Sequence, residues 1–99
     1  MGERTPTGDE AELLAAIAAG DEDALRQLYL RERPRLRRYL WHQLGGEASL
    51  VEEVLQDTFL AVWRQAGTFR GEARVSTWIF QIAHYLALEA RRRRDRASQ

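Results

Sequence analysis

The chain has 99 residues, of which 44% are hydrophobic and 30% charged, the composition of one small globular domain with a single core. It has no cysteine, two histidines and no apolar run long enough to cross a membrane, which excludes disulfides, thiolate metal sites, a plausible zinc site and a membrane-spanning segment. The net charge of zero divides into −5 for residues 1–30, +4 for 31–44, −4 for 45–63 and +5 for 64–99, which indicates an acidic and a basic surface for different partners.

The first predicted helix follows a polar leader, residues 1–8, which is expected to be flexible. Asp9 is placed to cap this helix, because a short acidic side chain can accept hydrogen bonds from the free N–H groups of the first turn. The helix itself is the apolar stretch "AELLAAIAAG", and Gly20 should end it.

The second predicted helix opens at Asp21 and carries apolar side chains at helical spacing. Pro34 should kink or break it, because proline lacks the backbone N–H that the helix interior requires. The Gly45-Gly46 pair should end the helix.

The third predicted helix has Ser49 as its cap and stops near Gly67. Its apolar side chains recur three and four residues apart, the spacing of one helix face. This predicted core stripe consists of Val51, Val54, Leu55, Thr58, Phe59 and Val62.

The fourth predicted helix runs from about residue 74 to the low nineties. Its predicted buried stripe is Trp78, Ile79, Ile82, Ala83 and Leu86. The arginine-rich end, "RRRRDRASQ", has no apolar partner and is expected to fray or to form a flexible tail. Since no segment alternates like a strand, the predicted fold is all-α, a compact bundle of about four helices.

Two surfaces of these helices are candidates for binding. On the third helix, Glu53, Gln56, Asp57 and Leu60 share a face that is either a solvated acidic surface or a docking strip for a helical partner. The fourth helix and the loop before it mix arginines with aromatic side chains, which suits single-stranded nucleic acid but is equally consistent with core aromatics and solvated arginines. Ser76 and Thr77 could cap the helix or bind phosphate there.

No catalytic set is visible in the sequence. The histidines have no nucleophile partner, the serines lack a nucleophile-elbow context, and there is no phosphate-binding or dinucleotide motif. We therefore expect a binding protein rather than an enzyme, with no cofactor, no metal and no small-molecule substrate.

Several ordered motifs resemble region 2 of the sigma-70 family, in its extracytoplasmic-function (ECF) group. They are "AIAAGDEDALRQLYLRERPRLRRYL", "VEEVLQDTFLAVWRQAGTFRGEARVSTWIFQIAHYLAL" and the following arginine run. The resemblance covers roughly residues 12–96. It implies a region 2 helical domain over residues 9–94 and the start of an interdomain linker at 95–99, with the second conserved domain, region 4, absent from this chain.

The resemblance also implies partners and contact residues. Docking on the β′ clamp helices of RNA polymerase falls to Glu53, Gln56, Asp57, Leu60 and Arg64. Binding and melting of the non-template strand of the promoter −10 element fall to Phe69, Arg70, Gly71, Arg74, Ser76, Thr77, Gln81, His84, Tyr85, Leu88, Arg91 and Arg92, with Trp78 as support from the core. An anti-sigma factor is a further partner known in the family. The implied location is the bacterial cytoplasm, with nucleoid association through polymerase.

The sequence departs from the family pattern at three places. Asp57 replaces a glutamate, His84-Tyr85 replaces a frequent Arg-Asn pair, and Ala73-Arg74 replaces a pair of small hydroxyl residues. The alternative is an arginine-rich helical adaptor that binds only a protein partner, without base-specific DNA recognition. Only the sigma interpretation predicts base selectivity in the loop.

Overall fold

A computed structural model describes residues 6–98, which form four α-helices and no strand. The helices are α1 (Pro6–Ala18), α2 (Glu22–Gln43), α3 (Ala48–Gln65) and α4 (Val75–Ala97), with a short 3₁₀ helix, Ala66–Thr68, after α3. Both α2 and α3 pack against each of the other helices. The predicted all-α bundle is therefore confirmed. None of the described helices is long and apolar enough to traverse a bilayer.

The core of the bundle is built from one face of each helix. The predicted stripe of α3 is confirmed, since all six of its side chains are buried. It meets Leu28, Leu36 and Leu40 of α2, which are fully buried. Burying a side chain of this size stabilises the fold by about 1.5–3 kcal/mol, so this contact between α2 and α3 is the centre of the domain.

The turn between α1 and α2 follows the sequence prediction. Gly20 has a φ of 96°, and its N–H donates to the carbonyl of Ile17 at 2.9 Å. The side chain of Asp21 accepts hydrogen bonds from the N–H groups of Asp23 and Ala24 at 3.0 and 3.1 Å. The α1 start differs: the helix begins at Pro6 rather than at Asp9, because proline needs no N–H partner in a first turn. Residues 1–5 of the predicted leader lie outside the described residues.

The sequence predicts a kink or a break at Pro34. The break is wrong, since α2 is one continuous helix from Glu22 to Gln43, and the kink stays a prediction. The proline side chain is exposed, while Glu32 and Leu36 on either side of it are buried against the bundle. Packing on both sides of the proline therefore holds the helix together despite the missing hydrogen bond.

The predicted cap at Ser49 is also wrong. α3 begins at Ala48, with Glu47 in the capping position, and the Glu47 side chain makes no capping hydrogen bond. Its carboxylate instead accepts a hydrogen bond from Nη1 of Arg94 at 2.8 Å. The start of α3 is therefore tied to the far end of α4. The predicted end of α2 is confirmed, because Gly45 and Gly46 both have positive φ.

Helix α4 differs from its prediction in length and in rotation. Its buried face is Val75, Ile79, Ala83, Ala87 and Ala90, whereas Trp78, Ile82 and Leu86 are only half-buried. Small alanine side chains allow the close packing of α4, so they rather than the largest apolar residues occupy the interface. The predicted frayed end is wrong for the described part of the tail, since the helix continues to Ala97.

Candidate binding surfaces

The outward face of α3 carries the residues that the sequence assigns to docking. Leu60 is 47% exposed, and it is one of few large apolar side chains so exposed in the described residues. Asp57 is half-buried. The carboxylate of Glu53 forms an ion pair with Arg93 of α4, with Nη1 and Oε2 3.3 Å apart. The rest of this strip, Gln56 and Arg64, is exposed. The five side chains thus share one face, as the spacing predicts.

A groove between α2 and α3 adjoins this strip and is not predicted by the sequence. It comprises two neighbouring hollows of about 370 and 510 Å³. Both are lined by Leu25 and Tyr29 of α2 together with Phe59 and Leu60 of α3, and Trp63 closes one end. Leu25 and Tyr29 lie on the apolar face of the predicted second helix, but its periodicity alone does not say which of those positions remain accessible.

The α2 wall of the groove is held in place by polar contacts. The Tyr29 ring packs edge-on against Phe59, with centroids 5.1 Å apart, and its hydroxyl accepts a hydrogen bond from Nε of Arg33 at 2.8 Å. Glu52 on α3 pairs with Arg33 at 3.0 Å and with Arg37 at 2.9 Å. The hydrogen bond from Arg37, followed by the charge of Arg33, lowers the pKa of Glu52 below its ordinary value.

The loop before α4 forms a separate hollow of about 340 Å³, the loop hollow. Phe69 and Trp78 make its aromatic part, with ring centroids 5.5 Å apart in an edge-to-face arrangement. Both rings are half-buried and pack against the core, so each is anchor and pocket wall at once. Gly71 has a φ of 78°, a backbone conformation that residues with a side chain rarely adopt, so this turn favours glycine. The remaining lining residues are Thr68, Arg70, Glu72, Ala73 and Gln81.

The outer face of α4 continues from this hollow. Tyr85 is 61% exposed, an unusual position for a tyrosine ring without a packing partner. Arg91 is exposed and forms no ion pair within the described part of the chain, whereas Arg92 pairs loosely with Glu89 at 3.3 Å. The other residues assigned to this face divide into exposed Arg74, Thr77, Gln81 and His84 and half-buried Leu88.

Ser76 does not face outward with its neighbours. Its hydroxyl donates a hydrogen bond to Oε2 of Glu32, which is only 2% exposed. Glu10 of α1 completes this cluster. Burial raises the pKa of Glu10 to about 7, and the hydrogen bond and negative charge of Glu32 add to the shift. Ser76 is therefore half-buried and its hydroxyl is engaged in an internal hydrogen bond, while its role as a strand contact stays a prediction.

A seam of aromatic contacts joins α2 to α4. The hydroxyl of Tyr39 lies 2.7 Å from Nδ1 of His84, and the Tyr39 ring packs against Phe80 with centroids 5.3 Å apart. The guanidinium of Arg35 lies 5.5 Å from the centroid of the same Phe80 ring. Burial raises the pKa of Tyr39, in keeping with a ring that is half enclosed between the two helices.

Comparison with protein families matches residues 28–97 to sigma-70 region 2. The chain belongs to the sigma-70 region 2 family. The matched segment includes the hollow before α4, the whole of α3 and α4, and α2 from Leu28 onward. Of the residues that line the groove between α2 and α3, Glu22, Leu25 and Arg26 lie before it.

The curated relatives are ECF sigma factors. The chain is 39% identical over 84 residues to ECF RNA polymerase sigma factor SigM of Mycobacterium tuberculosis H37Rv, covering 85% of this chain and 42% of that protein. It is 35% identical over 94 residues to SigK of Mycobacterium sp. strain KMS, covering 94% and 48%. For BldN of Streptomyces coelicolor the identity is 33% over 79 residues, covering 79% and 30%. This chain therefore spans less than half the length of these relatives. No solved structure matches it.

Proposed function

We propose that this chain is a non-enzymatic module of bacterial transcription initiation, with one face for RNA polymerase and another for promoter DNA. The polymerase face is the α3 strip with the adjoining groove, and the DNA face is the loop hollow with the outer surface of α4. The observation that carries the proposal is the presence of these two unlike surfaces on a chain of the sigma-70 region 2 family. Such a module would act in the bacterial cytoplasm, where polymerase and promoters are.

The polymerase face has the form of a helix-binding site. Leu60 and Gln56 belong to the α3 strip and also line the groove. An incoming helix could therefore place an apolar side chain in the groove beside Tyr29 and a basic side chain beside the acidic residues of the strip. The acids would select a basic partner and set its orientation rather than supply most of the affinity. The β′ clamp helices are the partner that the family implies.

The DNA face has the chemistry of a single-strand site. An aromatic hollow walled by Phe69 and Trp78 can accept an unstacked base, and stacking of a base on an aromatic ring contributes about 1–3 kcal/mol. Arg70 and Arg91 form no ion pair among residues 10–98, which leaves their guanidinium groups available to phosphates.

The DNA assignment is tested by fluorescence anisotropy with short labelled single strands of differing sequence, at two salt concentrations. We expect binding that weakens with salt and differs between sequences, and we expect Phe69→Leu to reduce the difference between sequences. The matched control is Leu30→Ala, which truncates an exposed apolar side chain on α2 away from the hollow. Binding that depends on salt but not on sequence would favour the protein-only adaptor instead.

The polymerase assignment is tested by capture of a β′ clamp-helix fragment. We expect Leu60→Asp and Asp57→Arg to weaken capture while the helical circular-dichroism signal stays unchanged. Leu30→Asp is the control, since it places the same new charge on an exposed leucine that does not line the groove. Unchanged capture by both α3 variants would remove the docking assignment.

A further inference from the structure

From residue 31 onward, the arginines of α2 divide into two sets that face opposite sides. Arg33 and Arg37 turn toward α3, where both bind Glu52. The other three arginines of this segment, together with His42, are spaced four, three and four residues apart, which places them along one stripe of the helix. This α2 basic stripe consists of Arg31, Arg35, Arg38 and His42.

The stripe is poor in internal partners. Arg35 is 63% exposed at its side chain, and the carboxylate nearest to it in an ion pair, Glu32, is 3.9 Å away. Arg38 and His42 are exposed and form no ion pair or hydrogen bond within the described residues. Arg31 lies close enough to Glu10 to lower the pKa of that carboxyl group, opposing the effect of burial. Arg35 is thus only distantly paired and Arg38 is unpaired among the described residues, so these two exposed arginines carry the accessible positive charge of the stripe.

The stripe is continuous with the outer face of α4. Arg35 lies over the ring of Phe80, and Tyr39, one turn along, hydrogen-bonds to His84. Phe80 and His84 directly precede Gln81 and Tyr85, two residues of the outer face of α4. The seam between the helices is thus bridged by aromatic and basic side chains, and nearer the start of α4 by the hydrogen bond from Ser76 to the buried carboxylate of Glu32.

We propose that the α2 basic stripe binds backbone phosphates of the same nucleic acid that the α4 face contacts. A polyphosphate chain supplies the regularly spaced negative charge that several exposed guanidinium groups along one helix can neutralise. Because phosphate contacts position a strand without reporting its sequence, the stripe adds affinity and register rather than base selectivity. This inference rests on the proposed DNA-binding function.

The test is anisotropy with fluorescein-labelled, mixed-sequence single strands of about 20 nucleotides, titrated at several NaCl concentrations. We expect the double variant Arg35→Ala/Arg38→Ala to weaken binding about threefold to tenfold on every sequence. It should also reduce the slope of log affinity against log salt by about 1 for each phosphate that the variant no longer neutralises. The control is Arg26→Ala on the same helix, where the arginine pairs with Asp23 at 2.9 Å and stands away from the stripe.

The outcomes separate this inference from the function on which it rests. If Tyr85→Ala weakens binding but the Arg35/Arg38 variant does not, the stripe is not a phosphate site and the α4 assignment stands. If the unmodified chain binds no single strand, both the phosphate-binding inference and the proposed DNA-binding function are contradicted. A weakening confined to particular sequences would contradict a phosphate contact. Equal binding of a polyglutamate peptide, weakened by the same variant, would assign the stripe to an acidic protein and overturn the proposal.

Discussion

The hydroxyl of Tyr39 on α2 and Nδ1 of His84 on α4 lie 2.7 Å apart, a hydrogen bond between helices 45 positions apart in the chain. It fixes the rotation of α4 relative to α2 at the middle of the seam. Tyr39 therefore orients a residue of the proposed DNA face.

Removing that bond should destabilise the domain modestly. For Tyr39→Phe we expect the free energy of unfolding to fall by about 0.5–1.5 kcal/mol, the net contribution of one hydrogen bond. Urea denaturation followed by circular dichroism measures it. Tyr85→Phe is the matched control, because the Tyr85 hydroxyl has no partner in the described structure, and it should leave stability unchanged. Equal effects of the two variants would contradict a structural role for Tyr39–His84.

Replacement of Pro34 by alanine should stabilise the protein. A proline inside a helix costs up to about 3 kcal/mol relative to alanine, and Pro34 sits exposed within the continuous α2. We expect Pro34→Ala to raise the free energy of unfolding by about 1–3 kcal/mol, measured by thermal and urea denaturation. A destabilised variant would mean that α2 depends on a bend at this position.

Glu10, which lies beside Glu32, should make stability fall as pH rises. The pKa of Glu10 is raised to about 7 from an ordinary 4.5, so between these values the folded state binds more protons than the unfolded state. Its contribution is present below about pH 4.5 and is lost as pH rises through about 7. Glu10→Gln should remove this slope in melting temperatures measured from pH 4.5 to 8. An identical slope in the variant would show that Glu10 is not its source.

Glu52 should have the opposite effect. Its pKa is lowered, chiefly by the hydrogen bond from Arg37, so its contribution is present above the ordinary pKa near 4.5 and is lost as pH falls through the lowered value. We expect the difference in melting temperature between the wild type and Glu52→Gln to be largest near neutral pH and to shrink toward pH 3. A difference that stays constant over this range would assign the effect to packing rather than to charge.

The sequence predicts those parts of the fold that depend on local periodicity and turns. The α3 stripe and the Gly20–Asp21 turn follow from residue spacing and from the conformational preferences of glycine and aspartate. The continuity of α2 at Pro34 does not follow from the sequence, because it depends on packing against other helices. The rotation of α4 escapes prediction for a related reason: the predicted stripe correctly includes Ile79 and Ala83 but also takes in the large Trp78, whereas close helix packing favours Ala87 and Ala90.

The candidate surfaces are predictable to the same degree. Residues of the α3 strip share a face by spacing alone, whatever the helix packs against. The groove wall at Tyr29 and the seam at Phe80 require knowing which helices are neighbours, and single-helix periodicity does not contain that. The position of Ser76 at the start of α4 predicts an outward-facing side chain, but its hydroxyl hydrogen-bonds to Glu32 inside the bundle. The sequence does not predict this contact, because glutamate is usually exposed and Glu32 is buried.

Because α4 is one uninterrupted helix, the distance between residues at its two ends is fixed. At 1.5 Å per residue, the axial distance from Thr77, beside the hollow before α4, to Arg91 is about 21 Å. A frayed tail would have let the arginines reach phosphates at many distances. A continuous helix whose far end is held to α3 by the ion pairs Arg93–Glu53 and Arg94–Glu47 would permit essentially one distance. In the proposed complex, the spacing between a base in the hollow before α4 and phosphates at the far end of α4 would therefore be set by the length of that helix.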